Sequence, residues 1–136
     1  MVEHYHIRLS PFPLGVHLIT DRLLQEVKEL PEKGLMNLFI QHSSAALALN
    51  ENADPNVRRD LESYFERAVP WNEPYYTHVE EGPDDMPAHI RSILVGPSLS
   101  IPIDGGSPDM GVWQGVYLCE FRQNASGRKL VLSVYS

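Results

Sequence analysis

Short β-rich segments, each bounded by Gly, Pro or Ser, constrain the fold of this 136-residue chain more than any other feature. They occur in clusters rather than alternating strictly with helices. A doubly wound parallel sheet needs that alternation, whereas antiparallel strands can follow one another directly. The pattern therefore predicts an α+β fold in one domain (residues 1–136), built mainly on an antiparallel sheet or sandwich. The segments are His4–Leu9, Val16–Thr20, Leu35–His42, Ala45–Leu49, Ser98–Ile103, Val112–Phe121 and Lys129–Tyr135.

About three helices are predicted between these strands, from apolar residues at helical spacing and from residues suited to helix ends. Ser, Thr and Asp cap helix starts, Pro suits the first turn, and Pro or Gly stops a helix. The last helix is expected to bury Ile90, Ile93 and Leu94. The expected helices are Asp21–Leu30 after a Thr20 cap, a helix from Pro55 to Pro70, and a shorter one from Asp85 to Gly96.

Charge and cysteine content exclude several classes of protein. A net charge of −7 argues against a nucleic-acid or anionic-membrane binder, because such proteins need a basic face. Apolar runs are too short to span a bilayer. The single cysteine, Cys119, excludes an internal disulfide framework and suits a reducing compartment, so we expect a soluble cytoplasmic protein. No basic residue or helix start adjoins Cys119, and a nucleophilic role is not expected.

Charge is distributed unevenly along the chain. Residues 51–85 hold ten acidic and three basic side chains, whereas residues 122–129 carry Arg122, Arg128 and Lys129 with no acid. This arrangement suits a site that holds both a cation and an anion, although a solvated helix face and a charged turn explain the same residues. The two arginines could grip a phosphate, or simply belong to a hairpin turn.

The first candidate site follows the apolar strand that begins at Leu35. His42 and Ser44 come at its end, and Asn50 and Glu51 lie shortly before a helix start. A strand end is a rigid platform for functional side chains, and a helix start offers free N–H groups to an anion. These residues together favour a functional role over a plain turn.

The second candidate site is residues 78–89, which hold two histidines and four carboxylates within twelve residues. Asp85 falls one helical turn before His89, where a carboxylate could orient a metal-ligating imidazole. His42, His78 and His89 could converge on one divalent cation. Their spacing matches no tight metal signature, and the alternative is a solvated acidic loop with His89 on the helix surface.

The third region, residues 102–115, is rich in glycine but matches neither a phosphate-loop nor a dinucleotide-binding fingerprint. Gln114 and Glu120 share one face of the same predicted strand but lie about 20 Å apart at the usual strand rise. They cannot serve one site within one chain unless a bulge or a neighbouring subunit intervenes.

The residues of all three regions together resemble the YjbQ-like family. His42–Ala45 followed by Asn50–Pro55 is similar to the family signature H-T-S-A … N-E-N-A-D-P, with Ser43 in place of threonine. Members are often labelled secondary thiamine-phosphate synthase enzymes. Further similar segments follow in the family's order along most of the chain: Ala88–Ile90, Gly96–Ser98, Ile101–Ile103, Gly111–Gln114 and Glu120–Arg122.

The resemblance implies a small α+β protein that assembles as a homotrimer and holds a divalent metal ion, zinc or another, in a histidine-containing pocket. The implied reaction joins hydroxymethylpyrimidine diphosphate to thiazole phosphate and releases pyrophosphate, which calls for a cation to neutralise the leaving diphosphate. The residues we take as candidates are His42, His78 and His89 for the metal, Ser44, Glu51 and Asp85 for catalysis, and Asn50, Gln114, Arg122 and Arg128 for substrate.

Three hypotheses of function follow. The first is a metal-dependent enzyme on a small phosphorylated substrate, with thiamine-phosphate synthesis as its named activity. The second is a non-catalytic homotrimer that binds a metal or small ligand, which a site without room for substrate would indicate. The third is a hydrolase that uses metal-activated water, which product analysis on simple phosphate esters would separate from a synthase.

Overall fold

Eight strands and three helices form the secondary structure of residues 1–136, all of which the computed structural model describes. No helix is both long and apolar enough to cross a membrane. In chain order the elements are β1 (Val2–Arg8), β2 (Gly15–Leu18), α1 (Thr20–Leu24), β3 (Lys33–Ile40), β4 (Ala45–Glu51), α2 (Pro55–Ala68), α3 (Asp85–Val95), β5 (Ser98–Asp104), β6 (Ser107–Pro108), β7 (Gln114–Glu120) and β8 (Lys129–Tyr135).

The strands form two antiparallel sheets that pack face to face. The larger sheet has the order β1-β8-β3-β5-β6, and the smaller one has the order β2-β7-β4. The main hydrophobic core lies between them, with Leu38 and Leu132 from the larger sheet against Leu47 and Leu118 from the smaller one. The predicted α+β class with mainly antiparallel sheets is therefore confirmed.

Helices α2 and α3 cover the other face of the smaller sheet. Ala88 of α3 packs with Tyr117 and Cys119 of β7, and Leu61 and Phe65 of α2 lie against the same cluster. Since α3 crosses the smaller sheet, its first turn and the loop before it come next to the ends of β4 and β7. The candidate functional side chains meet at this junction.

The outer face of the larger sheet carries exposed apolar side chains. Leu35 and Phe39 of β3 and Tyr135 of β8 lie there, and Phe39 is 43% exposed. The register pairs Leu35 with Tyr135, so these side chains sit on adjacent strands. No helix of the chain packs over this face in the way that α2 and α3 cover the smaller sheet.

The helices differ in part from the predictions. The first ends at Leu24 rather than Leu30, although Leu30 still packs against the core, because irregular backbone can bury an apolar residue as well as a helix can. Thr20 does not cap this helix, since its hydroxyl accepts the N–H of Val116. In α3, Ile93 and Leu94 are exposed rather than buried. The short strand β6 was not predicted.

Candidate metal centre

The loop before α3, the first turn of that helix and the segment after β7 together build a cluster of charged side chains. His78 comes from the loop, Asp85 and His89 lie one turn apart on α3, and Arg122 follows the end of β7. The helical spacing predicted for Asp85 and His89 is observed. His78 and Arg122 join them only because the fold brings distant segments together.

Asp85 is the centre of this cluster. One carboxylate oxygen, Oδ2, lies 2.6 Å from Nε2 of His78 and 3.0 Å from Nε2 of His89. The other, Oδ1, accepts a hydrogen bond of 2.6 Å from Nη1 of Arg122. Asp85 is only 5% exposed, whereas the side chain of His78 is 45% exposed, so water screens the contact between these two residues in part.

His89 faces an oxygen atom at both of its ring nitrogens. Nδ1 lies 2.9 Å from the backbone carbonyl of Ser43, which can only accept, so Nδ1 carries a proton. In the neutral ring, Nε2 is then unprotonated, and its lone pair faces the Asp85 carboxylate. Two acceptors are held in contact at 3.0 Å only if His89 is an imidazolium or if a cation joins them.

Arg122 and Asp84 support the cluster from behind. Arg122 donates from Nε to Asp84 Oδ2 at 2.9 Å and from Nη2 to the Glu81 carbonyl at 3.0 Å. The N–H of Gln123 donates to the same Asp84 oxygen at 2.8 Å. A guanidinium that spans two adjacent carboxylates fixes the orientation of Asp85 relative to both imidazoles.

The pKa values of both aspartates are lower than usual. Burial raises the pKa of Asp85, but the hydrogen bond from His78 and the charges of His89 and Arg122 outweigh burial and lower it overall. Burial likewise raises the pKa of Asp84, and the N–H of Gln123 together with Arg122 outweighs it. Both carboxyl groups are therefore ionised at neutral pH and keep their full charge for a cation.

The donor set fits a divalent metal ion. One ligand atom from each of His78, Asp85 and His89 lies within 4.8 Å of the other two. Two imidazole nitrogens and one carboxylate oxygen are ligands that zinc and similar divalent ions accept, with positions left over for water or substrate. The Nδ1 contact with Ser43 is the outer hydrogen bond that usually orients such a histidine.

His42 lies outside this group. Its Nε2 accepts the N–H of Lys129 at 2.8 Å, so that nitrogen is already occupied and the ring proton is on Nδ1. Burial lowers the pKa of His42, the charges of Arg128 and Lys129 lower it further, and the charge of Glu120 opposes them. No other candidate ligand joins it, and its role in metal binding stays a prediction.

A buried ion pair between Arg128 and Glu120 lies next to the cluster, and Ser44 is hydrogen-bonded to it. Arg128 donates from Nε and Nη2 to the two carboxylate oxygens of Glu120, at 2.7 and 2.5 Å. Its Nη1 donates to the Ser44 hydroxyl and its Nη2 to the Ser44 carbonyl. The guanidinium is thus engaged with the protein, and its predicted contact with substrate is untested.

Asn50, Glu51 and Gln114 lie at the opposite end of β4 and β7. The register pairs Glu51 with Gln114 and Ala45 with Glu120, which places these three residues a strand length from Ser44. The Glu51 carboxylate accepts the N–H groups of Ala53 and Asp54, and Gln114 accepts the N–H of Gly111. One chain does not bring this group to the histidines.

Sequence reasoning missed three polar residues at this junction. Asp84 was counted only within the local density of charge, although it shares Arg122 with Asp85. Glu120 was seen only as a strand position, and the buried ion pair with Arg128 depends on tertiary contact. Ser92 lies beside His89 with a buried hydroxyl that has no hydrogen-bond partner, and no local pattern signals it.

Comparisons with known proteins agree with the fold and the resemblance. A family model described as UPF0047 protein YjbQ-like matches residues 6–136. The YjbQ protein of Salmonella typhimurium is 45% identical over 130 residues, which cover 94% of each chain. A UPF0047 protein of Synechocystis is 48% identical over 101 residues, covering 74% of this chain and 69% of that protein.

Solved structures show the same architecture. A conserved hypothetical protein of Thermus thermophilus superposes with a TM-score of 0.82 at 28% identity, covering 93% of this chain and 96% of that one. A YbjQ-like protein from Sulfolobus solfataricus, described as of unknown function, superposes with a TM-score of 0.84 at 22% identity, covering 98% of this chain and 96% of that one. At that identity the match supports the fold alone. None of these descriptions names a reaction.

Proposed function

This chain belongs to the YjbQ-like UPF0047 family, and from that membership and the geometry of its site we propose a metal-dependent enzyme that acts on a small phosphorylated substrate. The observation that carries the proposal is the convergence of His78 and His89 on one oxygen of Asp85. A divalent cation held there would neutralise negative charge on a bound phosphate or diphosphate.

The chain's own residues have distinct parts in this proposal. His78, Asp85 and His89 hold the cation, and Arg122 with the Ser43 carbonyl orients Asp85 and His89. Asp85 serves as a ligand rather than as the group that moves a proton, because Arg122 holds its other carboxylate oxygen and its lowered pKa keeps it ionised. Arg122 is half-buried and its guanidinium lies next to the cluster, where it can also meet a phosphate oxygen.

Thiamine-phosphate synthesis is the specific reaction that we propose to test first. It transfers the hydroxymethylpyrimidine group from its diphosphate to the thiazole nitrogen, with pyrophosphate as the leaving group. Both substrates carry phosphate, and the excess of acidic residues across 51–85 would repel them without a cation. Two of the three proposed ligands, His78 and Asp85, lie within that acidic segment, which supports a metal-dependent reaction.

Metal content is the first measurement. We expect about one tightly held divalent ion per chain in wild-type protein purified without chelator or nickel resin. His89→Ala should lose it, and His6→Ala, an exposed strand histidine outside the cluster, should retain it. A His89→Ala protein with full metal content would overturn the ligand assignment.

Activity is the second measurement, and it separates the three hypotheses. Incubation with the two thiamine-phosphate precursors should release pyrophosphate in wild type and not in His89→Ala. Release of inorganic phosphate from simple phosphate esters would instead indicate a hydrolase. A wild-type protein that holds the metal and turns over none of these substrates would favour a non-catalytic metal-binding protein.

We also propose that the chain assembles as a homotrimer, as the family resemblance implies. Apolar side chains of Leu35, Phe39 and Tyr135 form an exposed patch on the larger sheet, and such patches commonly mark contacts between proteins. Phe39→Lys should reduce the mass in solution towards that of the 15.4 kDa monomer, measured by analytical ultracentrifugation. Metal content should be unchanged in that variant, since all three ligands come from one chain.

A further inference from the structure

A groove of about 450 Å³ opens beside the histidine and aspartate cluster. We infer that it is the subsite for an uncharged, ring-sized part of the substrate. This inference rests on the proposed function, in which the phosphate of the substrate binds at the cluster. The residues that line the groove, besides His89, are His42, Ser43, Ala45, Ser92, Ile93 and Pro97.

His89 joins the groove to the cluster. Its ring lines the groove, while its Nε2 faces Asp85 on the other side. The Ser43 carbonyl that accepts from Nδ1 fixes the ring between the two spaces. A ligand whose phosphate lies at the cluster reaches the groove if it passes beside the His89 ring, the one residue that the two spaces share.

The lining favours an uncharged occupant. No Asp, Glu, Lys or Arg side chain lines the groove. His42 presents the ring whose Nε2 accepts from Lys129, so the neutral form donates from Nδ1.

Ser92 supplies an unused hydrogen-bonding group. It is 9% exposed, and its hydroxyl has no partner in the protein. A buried hydroxyl without a partner costs free energy, which a ligand atom would recover if the Ser92 side chain turned its hydroxyl towards the groove. Ser92 and His42 therefore indicate an occupant with polar ring atoms rather than a plain hydrocarbon.

The size of the lining residues suits a ring. Ser43, Ala45 and Ser92 have small side chains, while Pro97 and Ile93 add apolar surface to the lining. Ile93 is 82% exposed although it is a large aliphatic side chain, so it lies at the rim where a ligand could cover it. Its neighbour Leu94 is also exposed but does not line the groove.

The test compares phenyl phosphate with methyl phosphate as probes on wild-type protein loaded with one equivalent of Zn²⁺. Both present the same phosphate to the cluster, and only the first carries a ring. Calorimetry should show phenyl phosphate binding about tenfold more tightly, since the ring buries apolar surface in the groove. Equal affinities would overturn the inference and leave the proposed function intact.

Two neighbouring residues provide a matched pair of variants. Ile93→Ala should reduce the preference for phenyl phosphate about threefold and leave methyl phosphate unchanged. Leu94→Ala, the adjacent exposed residue, should keep the wild-type preference. The inference is wrong if both variants reduce the preference for phenyl phosphate equally. It is also wrong if Ile93→Ala changes the mass in solution, because the groove is then a contact surface for a second copy.

A second probe tests the groove without any metal. 4-Aminopyrimidine at millimolar concentration should shift the amide resonances of Ser43, Ser92 and Ile93 in metal-free protein, and Ser92→Ala should weaken this binding severalfold. Failure of methyl phosphate to bind the zinc-loaded protein would overturn the proposed function alone. Absence of these shifts would overturn the groove assignment alone.

Discussion

The two ends of the paired strands β4 and β7 differ in what their polar side chains contact. At the Ala45–Glu120 end, Arg128 donates to Ser44 and Arg122 donates to Asp85, which lie 84 and 37 residues away in sequence. At the Glu51–Gln114 end, the side chains mainly satisfy backbone N–H groups a few residues away. The first end is a network across elements, and the second is a set of local turns and caps.

This difference shows that closeness in sequence did not predict closeness in the site. The polar residues 42–44 and 50–51 are close in sequence, yet strand β4 between them separates the two groups by about 20 Å at the usual rise per residue. The end with network contacts also carries His78, Asp85 and His89, whose ligand atoms lie close enough together to hold a metal ion. The end with local contacts has used its oxygens on the backbone.

Breaking the buried ion pair should have the largest effect on stability. Glu120→Gln removes the charge that pairs with Arg128, while both side chains are nearly inaccessible to water. We expect a loss of about 3 kcal/mol in the free energy of unfolding, because a buried guanidinium is left without its counter-charge. Urea denaturation measures it, and a loss below about 1 kcal/mol would contradict a tight network at this end.

A substitution of Arg122 tests whether the hydrogen-bond network also strengthens metal binding. Arg122→Lys cannot span both Asp84 and Asp85, so Asp85 should lose its fixed orientation. The affinity for Zn²⁺ should fall about 10- to 100-fold in a competition assay with a chelating dye. Arg59→Lys, an exposed residue of α2, is the control and should match wild type.

Cys119 lies at the same end of these strands, and the reactivity of its thiol tests how strongly burial acts there. Burial raises the pKa of the Cys119 thiol from 9.0 to about 12, so the folded protein should resist iodoacetamide at pH 8. Since the folded pKa is the higher one, this contribution to stability is complete below pH 9 and is lost as pH rises towards 12.

The stability curve provides the second measurement on Cys119. Between these two values the free energy of unfolding should fall by about 1.4 kcal/mol per pH unit from this group. Cys119→Ala should show a shallower slope over that range. An identical slope in both proteins would mean that other groups dominate the alkaline loss.

The smallest effect is expected at the local end. Glu51→Gln keeps an oxygen for the N–H groups of Ala53 and Asp54 and removes only the charge. The free energy of unfolding should change by about 0.5 kcal/mol, and the metal content should not change. Reduced metal content in this variant would show that Glu51 reaches a site in a neighbouring subunit.

Much of the fold could be predicted from the sequence. Alternating apolar residues and turn residues located seven of the eight strands, because the period of two and the breakers are local properties. The helix that begins at Pro55 was also located, and Asp54 accepts the N–H of Asn56 as a cap does. The extent of α1 could not be predicted, since apolar spacing also fits the loop that follows it, in which Val27 and Leu30 are partly buried against the core.

The sequence by itself determined which residue types were present and which of them shared a local face. Asp85 and His89 are the example, since helical periodicity places them one turn apart. Only the tertiary structure decided that His78 and Arg122 would join them, that His42 would line the neighbouring groove instead, and that Glu51 would lie elsewhere. The physical reason is that a strand separates its ends while a sheet and a crossing helix bring distant segments together.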